Sequence, residues 1–299
     1  SPLVRAAAAE ALGDRLTLEA VEALVGATRD EYRLVRVRAA AALAPVPPQS
    51  LREEWRASVR GATAEFLDIL QARPDDAHSH FNLGNFHVNR GDAGEAIKSF
   101  ETATRLRPDL VPPLANLGQV YAVSGRPREA EEALRQALAL EPANAALLFN
   151  LGLFLGEQGR LTEAAEAHRA ALDADPEMAQ AAYNLGVILA EGKPREGLRW
   201  CRRAAELRPG EPDYAYTVGF YEDRAGENDA ATKTLEALLD RHPSYADAYL
   251  LLGSIYERQG KTEAARALYA RALEAADLDR RQEYQVASRL QALGGAAAD

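Results

Sequence analysis

Along most of the chain, apolar residues recur at i, i+3, i+4 and i+7, the spacing that lays one stripe along an α-helix. The stripes come in pairs. One stretch of about three to four turns runs up to a glycine, a second runs up to a proline, and the pattern begins again. The glycine is expected to end the first helix of each pair, and the proline to start the next helix because it cannot occupy a helix interior.

The period is visible in a short motif. "FNLG" stands at 81–84 and again at 149–152, with "ANLG" at 115–118 and "YNLG" at 183–186, so that Gly84, Gly118, Gly152 and Gly186 are 34 residues apart. Gly219 and Gly253 extend the series at spacings of 33 and 34. In register with them run Leu83, Leu117, Leu151, Leu185, Val218 and Leu252, one residue earlier in each unit. Turn glycines follow at Gly91, Gly125, Gly159, Gly226 and Gly260, with Gly192 one residue early in the fourth unit. Small residues come next (Ala96, Ala130, Ala164, Gly197, Ala231, Ala265), and then Pro108, Pro142, Pro176, Pro209 and Pro243.

A glycine eight residues into a helix costs about 1 kcal/mol of propensity, so its use is expected to be steric: without a Cβ it lets the small residue of the second helix approach. These positions resemble the tetratricopeptide repeat family, whose 34-residue signature they match at most places. The signature tyrosine survives only at Tyr121 and Tyr256 and is replaced by His87, Leu155, Leu189 and Glu222. Full repeats are expected at 75–108, 109–142, 143–176, 177–209, 210–243 and 244–277. The resemblance implies an all-α fold, an α-solenoid in which helical hairpins wind into a right-handed superhelix.

Both ends of such an array need caps. "TAEFLDILQARP" (63–74) matches a second helix ahead of the first unit, within a linking helix at 51–74. At the other end, in a terminal segment at 278–299, "RRQEYQVASRLQAL" (280–293) is expected to cap with Tyr284, Ala287, Leu290 and Leu293 on one side, followed by a frayed "GGAAAD". The first part of the chain, 1–46, keeps another rhythm. "VRAAAAEAL" (4–12) and "VRVRAAAAL" (35–43) align 31 residues apart with "TLEAVEALVGAT" (17–28) between them, and "PVPP" (45–48) ends the run. This segment resembles a HEAT-type hairpin, in which a Val-Arg pair opens the second helix. Because Ser1 enters midway through such a unit, the chain is expected to be the C-terminal part of something longer.

Composition narrows the function. Only four of the 35 basic residues are lysines, a bias expected of a GC-rich bacterial genome. The net charge of −10 resides entirely beyond residue 73, since the first 73 residues carry 10 basic and 10 acidic side chains. A nucleic-acid partner, which needs a basic face, is not expected, and neither is membrane insertion, because no apolar run approaches about 18 residues. The single cysteine, Cys201, excludes an internal disulfide within these residues and leaves the compartment open between bacterial periplasm and cytoplasm.

No catalytic, metal or cofactor motif stands out. His80 and His87 lie seven apart on one helical face, but a metal site there lacks a nameable ligand set, so surface or packing roles are expected. His168 and Cys201 occupy a position at which the family buries an aromatic, and Cys201 is expected to be a small core residue beside Trp200.

In the family, first helices line the concave side. With the packing glycine counted as eighth, position 6 is Asn82, Asn116, Asn150 and Asn184; position 5 includes Phe81, Phe149, Tyr183 and Tyr216; position 9 includes Asn85, Gln119 and Phe220. A primary amide offers an acceptor and two donors, matching a peptide unit, so such a ladder can hold an extended chain without reading its sequence. Helices pack about 8–10 Å apart and an extended peptide advances about 3.3 Å per residue, giving one rung for every two to three ligand residues. After four units the wall turns aromatic and acidic with Asp213 and Asp223, which suits a partner with a basic segment. The leading expectation is therefore a non-enzymatic scaffold that binds a protein or extended peptide in its groove. Two alternatives stand beside it: the C-terminal accessory region of a larger periplasmic protein, given a likeness to multihaem cytochrome c-like chains, and an envelope or pilus assembly factor.

Overall fold

The computed structural model describes residues 1–275 and 277–295. Among them every regular element is helical, and the chain divides into two compact units, Ser1–Pro142 and Ala143–Asp299. The residues from 296 onward, which hold most of the "GGAAAD" tail, lie outside the described residues.

The first unit contains α1 (Pro2–Gly13), α2 (Leu18–Ala27), α3 (Arg33–Ala42), α4 (Glu53–Gln71), α5 (Ala77–Asn89), α6 (Ala93–Leu106), α7 (Val111–Val123) and α8 (Pro127–Leu140), with a 3-10 turn at Pro48–Ser50. Ala9, Leu24, Val25, Ala39, Leu43 and Leu51 form the core of its first part, with Trp55 and Val59 of α4 packed against them. The two aligned Val-Arg pairs use their arginines alike. Arg5 grips Asp30 through two hydrogen bonds of 2.7 and 3.0 Å, and Arg36 grips Glu65 through two of 2.9 and 2.8 Å. Downstream, α4 lies against α5, with Phe66 and Phe86 5.5 Å apart.

The second unit contains α9 (Ala145–Glu157), α10 (Leu161–Ala174), α11 (Ala179–Ala190), α12 (Pro194–Leu207), α13 (Pro212–Arg224), α14 (Asn228–Arg241), α15 (Ala246–Arg258), α16 (Thr262–Ala275) and α17 (Arg280–Gly295). One core gathers Leu172, Ala181, Leu185 and Ala204, and another gathers Leu235, Leu239, Tyr249, Leu252, Ile255 and Tyr269.

Local chemistry sets the helix ends. Asp76, Asp92 and Asn144 accept backbone N–H bonds at the starts of α5, α6 and α9, satisfying donors that have no partner inside the helix. At the ends of α5, α7, α9, α13 and α15 a glycine stands at φ between 70° and 78°, left-handed backbone that a side chain would strain. At the first of these, the Gly91 N–H bonds to the Val88 carbonyl and the Asp92 N–H to the His87 carbonyl, which closes the helix and turns the chain back. Gly192 has no positive φ; there the Lys193 N–H reaches the Leu189 carbonyl, and the missing residue of the fourth unit falls in α11, which has 12 residues where α5, α7, α9, α13 and α15 have 13.

The periodic prolines act differently from expectation. Pro108, Pro142 and Pro176 lie in the turns after α6, α8 and α10, each two residues past the last helical residue, so they end second helices, and the following helix starts three residues later. The C-terminal cap also differs. In α17 the buried stripe is Val286 (fully buried) with Leu290 and Leu293, whereas Tyr284 is 75% exposed and Ala287 is exposed too, because the packed face is rotated from the one expected.

The helix-borne glycines are steric, but the neighbour is not the alanine. A Cβ on Gly118 would stand 2.6 Å from Cγ of Leu134, and one on Gly152 2.6 Å from the ring of His168. In both, the side chain sixteen residues later lies across the glycine. The fourth hairpin is tighter still: a Cβ on Gly186 would meet the Cys201 backbone nitrogen at 2.8 Å and the Gly197 carbonyl oxygen at 3.0 Å. Two glycines there let backbone approach backbone.

Candidate functional site

The first helices α5 and α7 in one unit, and α9, α11, α13 and α15 in the other, carry the expected binding residues. Asn82 and Gln119 are exposed, while Asn85, Asn116, Asn150 and Asn184 are half-buried. The Asn116 amide donates to the Asn85 carbonyl oxygen over 2.7 Å, joining position 6 of one repeat to position 9 of the repeat before it. Asn150 and Asn184 make no side-chain hydrogen bond among the described residues. A half-buried amide without a protein partner retains its full donor and acceptor capacity.

The aromatic residues of the same face are largely occupied in packing. Phe81 lies 6.0 Å from Phe100, Phe149 5.5 Å from His168, and Tyr216 5.5 Å from Tyr245. Tyr183 stacks on Tyr214 at 4.7 Å, and its hydroxyl sits 3.3 Å from that of Thr217. Phe220 meets Tyr221 at 5.3 Å and has the Arg224 guanidinium over its ring.

The acidic groups of this face are paired too. The Tyr245 hydroxyl donates to Asp213 over 2.7 Å, which together with burial pushes its pKa up, burial being the larger cause. Arg258 donates to Asp223. Glu257 accepts from Tyr269 at 2.6 Å and from Arg289 at 2.9 Å, and Asp247 accepts from Gln282 at 2.8 Å. Each of these carboxylates is engaged by the protein itself, and in most cases by a side chain 32 to 35 residues later. Sequence could not disclose this, because the partners sit one repeat away.

Another periodic bond links neighbouring repeats. The Tyr121 hydroxyl donates to Glu101 at 2.6 Å, and Tyr256 donates in the same way to Glu236; in both, the partner lies twenty residues earlier. Where the signature tyrosine is replaced by Glu222, the residue twenty earlier is Arg202, which donates to it over 2.8 and 3.1 Å. Thr234 completes the buried carboxylate at 2.7 Å.

Of the groups that sequence could offer for chemistry, Cys201 and His168 are buried. Burial pushes the Cys201 thiol up to about 12, far from a thiolate nucleophile. Burial lowers His168 to about 4. The His80 ring nitrogen rests 2.9 Å from the Pro74 carbonyl oxygen. Among the described residues no three His, Cys, Asp or Glu side chains gather as a metal site would need, and no helix is long and apolar enough to cross a membrane.

Stacked helical hairpins with a steric glycine, a left-handed turn glycine and bonds from repeat to repeat define an all-α tandem-repeat protein. The chain belongs to the tetratricopeptide repeat family: one model of that repeat matches residues 116–176, 155–212 and 221–280, more than half of the chain, and a second matches 77–110. No curated protein matches the chain. Among solved structures, it is similar to pilF of Pseudomonas aeruginosa, with 22% identity over 75% of this chain and 99% of that one and a TM-score of 0.57. It is also similar to YrrB, described as a TPR protein with an unusual peptide-binding site, with 22% identity over 64% of this chain and 100% of that one and a TM-score of 0.55. MamA of Desulfovibrio magneticus RS-1 is similar at 22% identity, over 56% of this chain and 96% of that one, with a TM-score of 0.52.

Proposed function

We propose that the protein is a non-enzymatic scaffold that holds an extended peptide segment of a protein partner along the first helices of its second unit. The observation that carries this reading is the state of the asparagines: Asn150 and Asn184 are half-buried with no protein partner, next to a face whose aromatic and acidic groups are already engaged. Amides of this kind match the donors and acceptors of a peptide backbone and tolerate many sequences. The likeness to YrrB, whose description names a peptide-binding site, supports the same reading.

A basic segment in the partner is still compatible with this face: Arg258 already offsets the charge of Asp223, whereas Asp213 is exposed and bonded only to the neutral Tyr245 hydroxyl, so it keeps its charge and further acceptor sites. The net charge of −10 disfavours a nucleic acid as the partner. Residues 1–46 are taken as a HEAT-type segment, which the shared use of Arg5 and Arg36 supports.

An array of unstructured peptides tests the proposal. Wild-type protein is expected to retain a subset of them, and Asn150→Ala with Asn184→Ala to weaken retention by about tenfold, a loss of one to two hydrogen bonds. Undiminished binding by a well-folded double variant would remove the asparagines from the binding role.

A further inference from the structure

Between the second helices α10 and α12 lies a pocket of about 580 Å³, lined by Leu172, Trp200, Arg199, Arg202 and Arg203 among others. None of its lining residues belongs to a first helix, so it is separate from the asparagine face.

The repeats provide an internal control for what packing demands here. At the position of Trp200 the other five carry Ser99, Ala133, Ala167, Thr234 and Leu268, so the hairpin does not need a tryptophan. The position of Arg199 holds Lys98, Glu132, Glu166, Lys233 or Ala267 elsewhere, and that of Arg203 holds Thr102, Gln136, Ala170, Ala237 or Arg271. Only the fourth repeat combines an aromatic with this cluster of arginines. Residues 193–208 contain six basic and two acidic side chains, in a chain with 35 basic and 45 acidic residues overall.

The arginines are not equally committed. Arg202 is held by Glu222 and Glu227. Arg203 approaches Glu206 only to 3.8 Å and makes one long hydrogen bond, 3.5 Å, to the Pro176 carbonyl oxygen, which leaves most of its donors unused, and Arg199 is exposed with no ion pair among the described residues. Trp200 is half-buried, and Leu172 beside it is 5% exposed.

We propose that this groove docks an acidic peptide segment carrying one large apolar side chain. The apolar side chain lies against Trp200 and Leu172, and flanking carboxylates pair with the guanidinium forks of Arg199 and Arg203. Asp173 and Glu206 also line the pocket and repel carboxylates on their side, which limits the register of the segment. Charge complementarity selects an acidic partner, while the apolar lining and the acidic remainder of the chain disfavour a phosphodiester backbone.

The full chain carries two tryptophans, so Trp55→Phe leaves Trp200 as the only indole reporter. A short peptide of Asp and Glu with one central Leu is titrated into this variant, following Trp200 emission and the anisotropy of the labelled peptide. A saturable change in both is expected, weakened about tenfold or more by Arg199→Glu with Arg203→Glu, by Leu→Ser in the peptide and by added salt. Both arginines are solvent-accessible, and unchanged circular dichroism of the double variant separates lost binding from lost fold. The proposal is overturned if the acidic peptide does not bind or if the charge-reversed variant binds it equally. It is overturned as well if Asn150→Ala with Asn184→Ala abolishes the signal, or if RNA, anionic vesicles or self-association produce the emission change in place of the peptide.

Discussion

Arg202 donates two hydrogen bonds to Glu222, a carboxylate whose side chain is 4% exposed, at the two positions where Tyr121 meets Glu101. The acid has changed sides. In the tyrosine repeats it stands on the earlier second helix and the hydroxyl on the later first helix; here the later helix carries the acid and the earlier one its cation. The bond between repeats is kept although neither residue is.

Breaking one half of this pair leaves a buried charge. Arg202→Ala should cost about 2 to 3 kcal/mol in urea denaturation, less than a fully enclosed pair because Arg202 is partly solvated. Arg202→Glu alone should cost more, since two carboxylates would then face each other. Adding Glu222→Tyr to Arg202→Glu recreates the Tyr121 and Glu101 arrangement and should recover most of the loss. A double variant no more stable than Arg202→Glu alone would show that the two positions do not interchange as a unit.

The helix-borne glycines should differ in sensitivity according to what lies across them. Gly118→Ala meets the Leu134 side chain, which can turn aside, and should cost about 1 to 3 kcal/mol. Gly186→Ala meets backbone atoms of Cys201 and Gly197, which cannot, and should be the more damaging. Thermal melts of the two variants rank them; the reverse order would mean that the fourth hairpin opens at little cost.

Much of this fold was legible because glycine has one steric use at a fixed spacing: Gly84, Gly118, Gly152 and Gly186 announce hairpins before any propensity is consulted. The identity of the group each glycine accommodates was not legible, since facing positions depend on how the second helix is rotated. That rotation put Leu134 and His168 there, not Ala130 and Ala164. It also exposed Tyr284 and buried Val286 in α17. For the binding face, sequence could enumerate Asn116, Asp213 and Asp223 but not their engagement by Asn85, Tyr245 and Arg258, because the partners arrive from other repeats.

The asparagines should therefore separate into two kinds. Asn116→Ala removes a bond between repeats and should lower stability by about 0.5 to 1.5 kcal/mol. Asn150→Ala and Asn184→Ala break no such bond and should leave the melting temperature nearly unchanged. A comparable destabilisation in all three would make the whole series structural.

His168 gives the stability a pH dependence that can be traced to one residue. It fills the position at which other repeats bury Phe100, Leu134, Leu235 and Tyr269, it is 1% exposed, and its Nδ1 has no hydrogen-bond partner among the described residues. Burial therefore favours the neutral ring and lowers its pKa from 6.5 to about 4. The unfolded chain takes up the proton at the higher value, so stability is full above about pH 6.5 and falls as pH drops toward 4. By pH 5 the loss should be about 2 kcal/mol. Carboxylates held low by ion pairs, such as Asp109 at about 2, contribute their losses mainly below pH 4, outside most of this window. Replacing His168 with Leu, the residue of two sister repeats, should flatten the stability profile between pH 6.5 and 4.5 while raising stability at the acid end. An unchanged slope in that variant would place the titrating group elsewhere.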